Sequence, residues 1–393
     1  MKILLCIDKN PLLANDGLTI IILNWLTILS KQHEIFVVTV QPHGNDQELF
    51  QTHFPRITLL DWAALSDKET ETSPSPVFNK FDRKIIDYYG FNYKLHSAIA
   101  YYHQSHSFDT VITFGLWLTA YTFNLKNTIT VCHAIDDPLT HGWPKQHSLL
   151  RKLKTLKITF IAMCECLRFG RKHNMLLTVT DENSNALHKY TRHPNIVTIK
   201  NGVDIDTFKP STEGDIPAVI FTGTMNYPPN IEAVQFFTQE VWPIIQQTNH
   251  NAQFWIVGRD PTQEVLALAT EENNIVVTGE VANIADSLAK AWVSVAPMVV
   301  GTGIKNKTLE AWAMAKPVVT TTIATQGLKT LPDQNCFIRD STTEIASCIN
   351  KLLSSKPLRE EMGSKARETV EQHYLWHSHV EKLINAINER KKK

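Results

Sequence analysis

An excess of charge of either sign is what this chain most obviously lacks. Its 39 lysines and arginines are matched by 39 aspartates and glutamates, so the formal net charge of the 393 residues is zero. No global field favours a polyanion, and nucleic acid is not an expected partner. Cysteine is sparse: Cys6, Cys132, Cys164, Cys166, Cys336 and Cys348 are scattered without metal-ligand spacing. Cys164 and Cys166 form a C-x-C within an expected helix, where side chains two apart diverge. Reduced thiols in a cytoplasmic protein are the expectation. Long hydrophobic runs are missing too. Leu18–Leu29 is interrupted by Asn24 and is too short to span a bilayer. Residues 2–7 lead directly to Asp8, as a first buried strand would, and are not expected to be a secretory signal. Any membrane contact is therefore expected to be peripheral. No repeat at solenoid spacing is visible.

What is present is a well-mixed globular composition, 43% hydrophobic and 20% charged, in a chain longer than one core usually supports. Two domains are expected. In the first half, strands are expected at 2–7, 34–40, 109–114, 128–132 and 176–179. Helices are expected at 17–31, 81–105 and from about 181, with a basic helical stretch at 145–173. Residues 62–80, with Ser73-Pro74-Ser75-Pro76, read as a loop. A second series of strands begins at 218–223 and continues at 253–258, 275–278, 292–296, 317–321 and 335–338. Helices at 341–354, 357–373 and 375–390 end the chain. Such alternation predicts an α/β protein with parallel sheets covered on both faces.

The stretch 297–319 carries the most chemistry: Pro-Met-Val-Val-Gly-Thr-Gly-Ile-Lys-Asn-Lys-Thr-Leu-Glu-Ala-Trp-Ala-Met-Ala-Lys-Pro-Val-Val. It reads as a strand end, a glycine loop, a helix and another strand. Gly301 and Gly303 permit close backbone approach to a ligand. The helix start offers unpaired N–H groups and partial positive charge, which suit phosphate, and Lys305 and Lys307 add full charges. Glu310 lies three residues beyond Lys307, on the same helix face. Cations beside one carboxylate suit a ligand with phosphates at one end and a sugar diol at the other, which describes a nucleotide sugar. A second strand-to-loop transition, Phe221-Thr222-Gly223-Thr224-Met225-Asn226-Tyr227-Pro228-Pro229-Asn230, places proline at a helix start after a small-residue loop. Ile256-Val257-Gly258-Arg259-Asp260 and Val277-Thr278-Gly279-Glu280-Val281 are two more.

The run 301–319 resembles Gly-x-Gly-Ile-(Lys/Arg)-x-Lys-x-Leu-Glu-Ala-x-Ala-Met-x-Lys-Pro-Val-Val, a pattern of a subgroup of GT4-type glycosyltransferases of GT-B fold. The resemblance extends to Thr325-Gln326-Gly327-Leu328, to residues 221–230, and to the junction Asn201-Gly202-Val203-Asp204 ahead of Phe208. It is patchier before residue 199. The implied fold is GT-B, two Rossmann-like domains facing a central cleft. Residues 1–200 would bind the acceptor, 201–375 the nucleotide sugar, and 376–393 would return toward the N-terminal domain. The implied activity moves a sugar from a nucleotide-diphosphate donor to a glycan or lipid-linked acceptor, with retention, without metal and without a further cofactor.

By this resemblance Lys305 and Lys307 stabilise the leaving diphosphate, Glu310 holds the ribose hydroxyls, and His133 contacts the donor sugar. Gly17, Gly223, Thr224, Arg259, Gly279, Val281, Gly301, Thr302, Gly303 and Ile304 line the donor, though Arg259 reads equally as a solvated loop charge. Asp16, Asp136 and Asp137 either meet the acceptor or cap helices, and Glu165 matches a Glu often seen in its helix. The chain departs from the family where Thr302 replaces the first of two glutamates, and where no Arg-Lys pair follows the strand at 218–223. Asp204-Ile205-Asp206 spells a D-x-D, but inside the junction motif, so no metal is expected there. The basic, aromatic-interleaved residues 145–172 read either as a surface for anionic lipid or as a solvated face. A nucleotide-sugar epimerase and a non-catalytic, sugar-binding or scaffold homologue are the alternatives.

Overall fold

A computed structural model describes residues 1–13, 17–66, 78–134, 149–301 and 303–392. The chain forms two compact units, Met1–Lys200 together with His377–Lys393, and Asn201–Trp376. In the first, β1 (Lys2–Lys9), β2 (Glu34–Gln41), β3 (Ile57–Leu59), β4 (Thr110–Phe114), β5 (Ile129–His133), β6 (Met175–Thr178) and β7 (Ile196–Thr198) form one sheet. The order is β3-β2-β1-β4-β5-β6-β7 and every pairing is parallel. Residues Ile3–Ile7 are wholly buried because helices cover both sheet faces, which is why the strand reads as a continuous apolar run.

The second unit repeats the design. Its strands are β8 (Ala218–Thr222), β9 (Gln253–Val257), β10 (Ile275–Gly279), β11 (Val293–Ala296), β12 (Val318–Thr320) and β13 (Phe337–Ile338), in the order β10-β9-β8-β11-β12-β13. One face buries Phe221, Phe237, Trp242 and Phe254, the other Leu309, Trp312, Val370 and Tyr374. In each unit the strand order reverses beside the first strand, at β1/β4 and at β8/β11. That switch point opens a crevice at the carboxyl ends of the strands, where ligands of such sheets bind.

Most expected elements occur, with ends shifted by a residue or two. The expected helix at 81–105 is instead two helices, Lys80–Tyr88 and Tyr93–His106. The break falls at Gly90, whose φ of +70° is a left-handed conformation that glycine adopts cheaply. Asn92 then caps the second helix, accepting from Leu95 N–H at 3.1 Å. The short strands β3 and β7, and the helix Asp46–His53, had no expectation attached to them. Most of the expected loop at 62–80 lies outside the described residues, as does 145–148 of the basic stretch, whose helix is Leu149–Arg168. Within the first unit the terminal segment is tied down by Lys391 Nζ, 2.7 Å from Asp109 Oδ1, and by Lys382 Nζ, donating to Thr198 O at 2.9 Å.

Candidate functional site

At the switch point of the second unit, three strand ends are stitched together by main chain. Gly223 N–H donates to Val257 O (3.0 Å), Gly258 N–H to Gly279 O (3.1 Å), and Met225 N–H to Arg259 O (2.8 Å). A Cβ on Gly258 would lie 1.8 Å from Gly223 O, so only glycine lets these loops approach. The loop after β11 lies against the loop after β8, since a Cβ on Gly301 would be 3.7 Å from Pro229 Cβ and 3.5 Å from Lys305 Nζ.

Lys307 is the centre of the site. Its Nζ donates to Asn230 Oδ1 at 2.8 Å and stands 3.5 Å from the centroid of the Phe221 ring. Asn230 is itself oriented, because its Nδ2 donates to Thr224 O at 2.9 Å. Lys305 Nζ donates to Gly303 O at 3.1 Å, and Gly303 N–H to Gln326 Oε1 at 3.0 Å. The helix Asn306–Ala313 follows, and the side chain of its N-cap residue, Lys305, makes no capping hydrogen bond to its N-terminal N–H groups. Its first residue is held by Asn201, whose Nδ2 donates to Asn306 Oδ1 at 3.0 Å.

Electrostatics reinforce this geometry. Burial holds the Lys307 ammonium well below the usual lysine range, and the charge of Lys305 adds to the effect, while Glu310 opposes it. Burial likewise pushes Glu310 up to about 7, against the pull of Lys307. Desolvation thus moves both groups toward their neutral forms, and the charge of each partly offsets the shift of the other.

Of the expected donor-side residues, Gly223, Thr224, Arg259, Gly279, Gly301, Gly303, Lys305 and Lys307 converge on these loops. The Arg259 side chain lies beside Asp260, with Nε 3.7 Å from Oδ2. Val281 and Ile304 are half-buried against the apolar layer beneath. Sequence reasoning gave no role to Phe221, Asn230 or Gln326, although all three stand in the stretches that carry the resemblance. The signal available was the Pro-Asn at the helix start, where a buried amide can reach back into the loop.

In the first unit, His133 ends β5 and is only 1% exposed. Its ring stacks on Phe114 (centroids 5.5 Å apart) and meets Trp25 edge-on at 5.3 Å, and its Nδ1 has no hydrogen-bond partner among the described residues. Burial lowers its pKa to about 4, so the imidazole is neutral. Gly17 opens the helix Gly17–Leu29 and is exposed. Glu165 is buried, its Oε2 without a partner among the described residues, and desolvation pushes its carboxyl well up. Asp16, Asp136, Asp137 and Thr302 lie outside the described residues. Asp204 is a turn device: its Oδ1 accepts from Asp206 N–H at 3.0 Å and its Oδ2 from the Thr207 hydroxyl at 2.6 Å. Among the described residues no cluster of three or more His, Cys, Asp or Glu side chains could hold a metal ion.

Comparison with known proteins places these observations. Residues 216–355 match the family described as Glycosyl transferases group 1. No curated protein sequence matches the chain. Among solved structures it is similar to TarM, at 16% identity and a TM-score of 0.73 with 98% of each chain covered. It is similar to sucrose-phosphate synthase from Thermosynechococcus elongatus, at 14% identity and a TM-score of 0.74 with 99% of each covered. HepE of Anabaena, in complex with UDP and glucose, gives 14% identity and a TM-score of 0.66, again with 99% of each covered. The chain therefore has the α/β fold of the GT-B glycosyltransferases over its whole length, and its second unit carries the segment that matches Glycosyl transferases group 1.

Proposed function

We propose that this protein is a GT4-type glycosyltransferase that moves a sugar from a nucleotide-diphosphate donor to a glycan or lipid-linked acceptor. The observation that carries the reading is Lys307, fixed by Asn230 and Phe221 beside an uncapped helix start and one half-buried carboxylate. A diphosphate beside Lys305 and Lys307 would restore the charge that burial takes from Lys307, and the helix dipole would add to the attraction. Glu310 would accept hydrogen bonds from the ribose hydroxyls, a charge-assisted contact worth roughly 1.5–3 kcal/mol. The UDP and glucose bound to HepE are ligands of this chemical kind.

The proposed reaction retains anomeric configuration. The bond between the anomeric carbon and the diphosphate oxygen breaks, and the acceptor oxygen attacks from the same face. Its proton passes to the departing phosphate. Lys305, Lys307 and the helix N-terminus would bear the developing negative charge without a metal. By the resemblance His133 would contact the donor sugar, which requires the neutral ring now wedged between Phe114 and Trp25 to become accessible. Asp16, Asp136 and Asp137 would serve the acceptor. The protein would act in the cytoplasm, peripherally on the inner face of a membrane. No helix among the described residues is long and apolar enough to cross one.

The test is a thermal-shift series with UDP, GDP, ADP and their common sugar conjugates, on the wild type and on Glu310→Ala. One nucleotide series is expected to stabilise the wild type, with the stabilisation largely lost in the variant. No stabilisation by any nucleotide would sink the reading and leave a non-catalytic homologue; unchanged affinity in the variant would remove Glu310 from the site.

A further inference from the structure

Five exposed apolar side chains of the first unit stand on two helices that pack together. Leu153, Leu156 and Phe160 of the helix Leu149–Arg168 are 54, 45 and 57% exposed. Their three-and-four spacing sets them on one helix face, and Lys157 falls within the same stripe. Lys157 Nζ stands 5.7 Å from the centroid of the Tyr88 ring. Tyr88 ends the helix Lys80–Tyr88, which also exposes Phe81, two turns away on the same side.

The two helices hold these rings firmly. Arg168 grips Asp82 with both arms of its guanidinium, at 2.7 and 3.0 Å. Ile85 and Ile86 pack into a cluster with Phe169, against which Ile161 and Cys164 rest. That core is already filled, so Phe81, Tyr88, Leu153, Leu156 and Phe160 have been left outside it.

Charge points to what would cover them. On 80–88 and 156–172, Lys80, Arg83, Lys84, Lys157, Arg171 and Lys172 are exposed, and the only exposed carboxylate among the described side chains is Asp87. The chain as a whole is neutral, so this positive surface is local. Protein interfaces exclude lysine from their centres, whereas helices lying in a membrane interface combine Phe and Leu with flanking lysines and arginines.

We propose that the helices Lys80–Tyr88 and Leu149–Arg168 form a docking surface for an anionic phospholipid bilayer. The rings and leucines enter the headgroup–acyl boundary, and the lysines and arginines lie among lipid phosphates within a Debye length of the surface. The sequence drew attention to 145–172 alone; the structure adds the helix Lys80–Tyr88 and the aromatic residues it contributes. This deepens the membrane part of the function proposed above. Nucleotide binding is a separate measurement, so either can fail without the other.

The experiment is flotation of the full chain with phosphatidylcholine vesicles, with and without phosphatidylglycerol. Binding is expected to the anionic vesicles, at least tenfold weaker to the neutral ones, and weakened by salt. Lys84→Gln with Lys157→Gln should weaken it about thirtyfold, from the usual contribution of a basic residue near an anionic leaflet. Phe160→Ser should weaken it at least tenfold, with an unchanged melting temperature because the ring is exposed. Absence of vesicle binding would overturn the proposal, as would equal binding to neutral vesicles or insensitivity to these substitutions. A dimer abolished by Phe160→Ser, without vesicle binding, would also overturn it and assign the surface to a second copy of the chain.

Discussion

At Lys307 two neighbours hold the ammonium, the Asn230 amide and the Phe221 ring, while Glu310 acts on it through its charge alone. Gly223 belongs to the same arrangement, since a Cβ there would come within 2.7 Å of Asn230 Nδ2 and 3.2 Å of Lys307 Nζ. Asn230 is thus a positioning residue, acting on a ligand only through Lys307. On the proposed reading, Asn230→Ala should weaken nucleotide-diphosphate binding roughly tenfold, the cost of about one lost hydrogen bond to a charged group. Asn230→Asp should not restore it, because a carboxylate cannot donate to Thr224 O and sets negative charge beside the diphosphate. Calorimetric titration with the nucleotide found in the thermal-shift series checks both; undiminished affinity in Asn230→Ala would show that Lys307 needs no such support. Lys305, Lys307 and Glu310 were legible as a group because lysine and glutamate at helical spacing behind a glycine loop have a local chemical meaning. Asn230 was not, because its partner lies 77 positions away.

Among the elements, the turn into β12 shows how one polar side chain can close a packing problem. Lys316 Nζ donates to Ala289 O and Ala291 O, at 2.6 and 2.8 Å, the carbonyls that end the helix Ile284–Lys290. Burial lowers this lysine to about 8, opposed by Glu213. In the sequence Lys316 is one letter of the pattern the chain resembles; in the fold it is the C-terminal cap of a neighbouring helix. Lys316→Met keeps the aliphatic stem but strands two carbonyls, and should cost about 2–4 kcal/mol of unfolding free energy in urea titrations. A change under about 0.5 kcal/mol would mean that water satisfies the carbonyls instead. Helix placement was largely legible from periodicity and breakers. The split at Gly90 escaped because a single glycine between two helical patterns does not announce its sign of φ. The strands β3 and β7 escaped because three residues at a sheet edge carry too little pattern to read.

For the molecule as a whole, buried histidines of the first unit should make stability fall on the acid side. His173 accepts from the Thr122 hydroxyl at Nε2 (2.9 Å) and donates from Nδ1 to Phe169 O (3.1 Å), so its folded form is the neutral tautomer. Burial lowers His173 to about 4, and His133 to about 4 as well, from an ordinary value of 6.5. A base depressed on folding stabilises fully above its unfolded pKa, and that stability is lost as pH falls from 6.5 through about 4. Each histidine should remove on the order of 2 kcal/mol of unfolding free energy between pH 7 and pH 5. Urea unfolding at the two pH values tests this, with a smaller drop expected in His173→Gln; an undiminished drop would place the acid sensitivity elsewhere.

The sequence by itself determined the class of fold and which polar and charged groups stand in the second unit's loops. Alternating buried strands and amphipathic helices admit few arrangements, and glycines, lysines and a carboxylate at short spacing act locally. Only the tertiary structure decided how those loops are locked: the Gly223–Gly258 approach, the amide behind Lys307 and the Gln326 carbonyl under Gly303. It also decided that His133 is a neutral wedge between Phe114 and Trp25, and that two adjacent helices of the first unit leave apolar residues exposed. The physical reason is the same in each case. Burial, and hydrogen bonds between residues far apart in sequence, depend on which segments the sheet brings side by side, and strand order is not written in any local pattern.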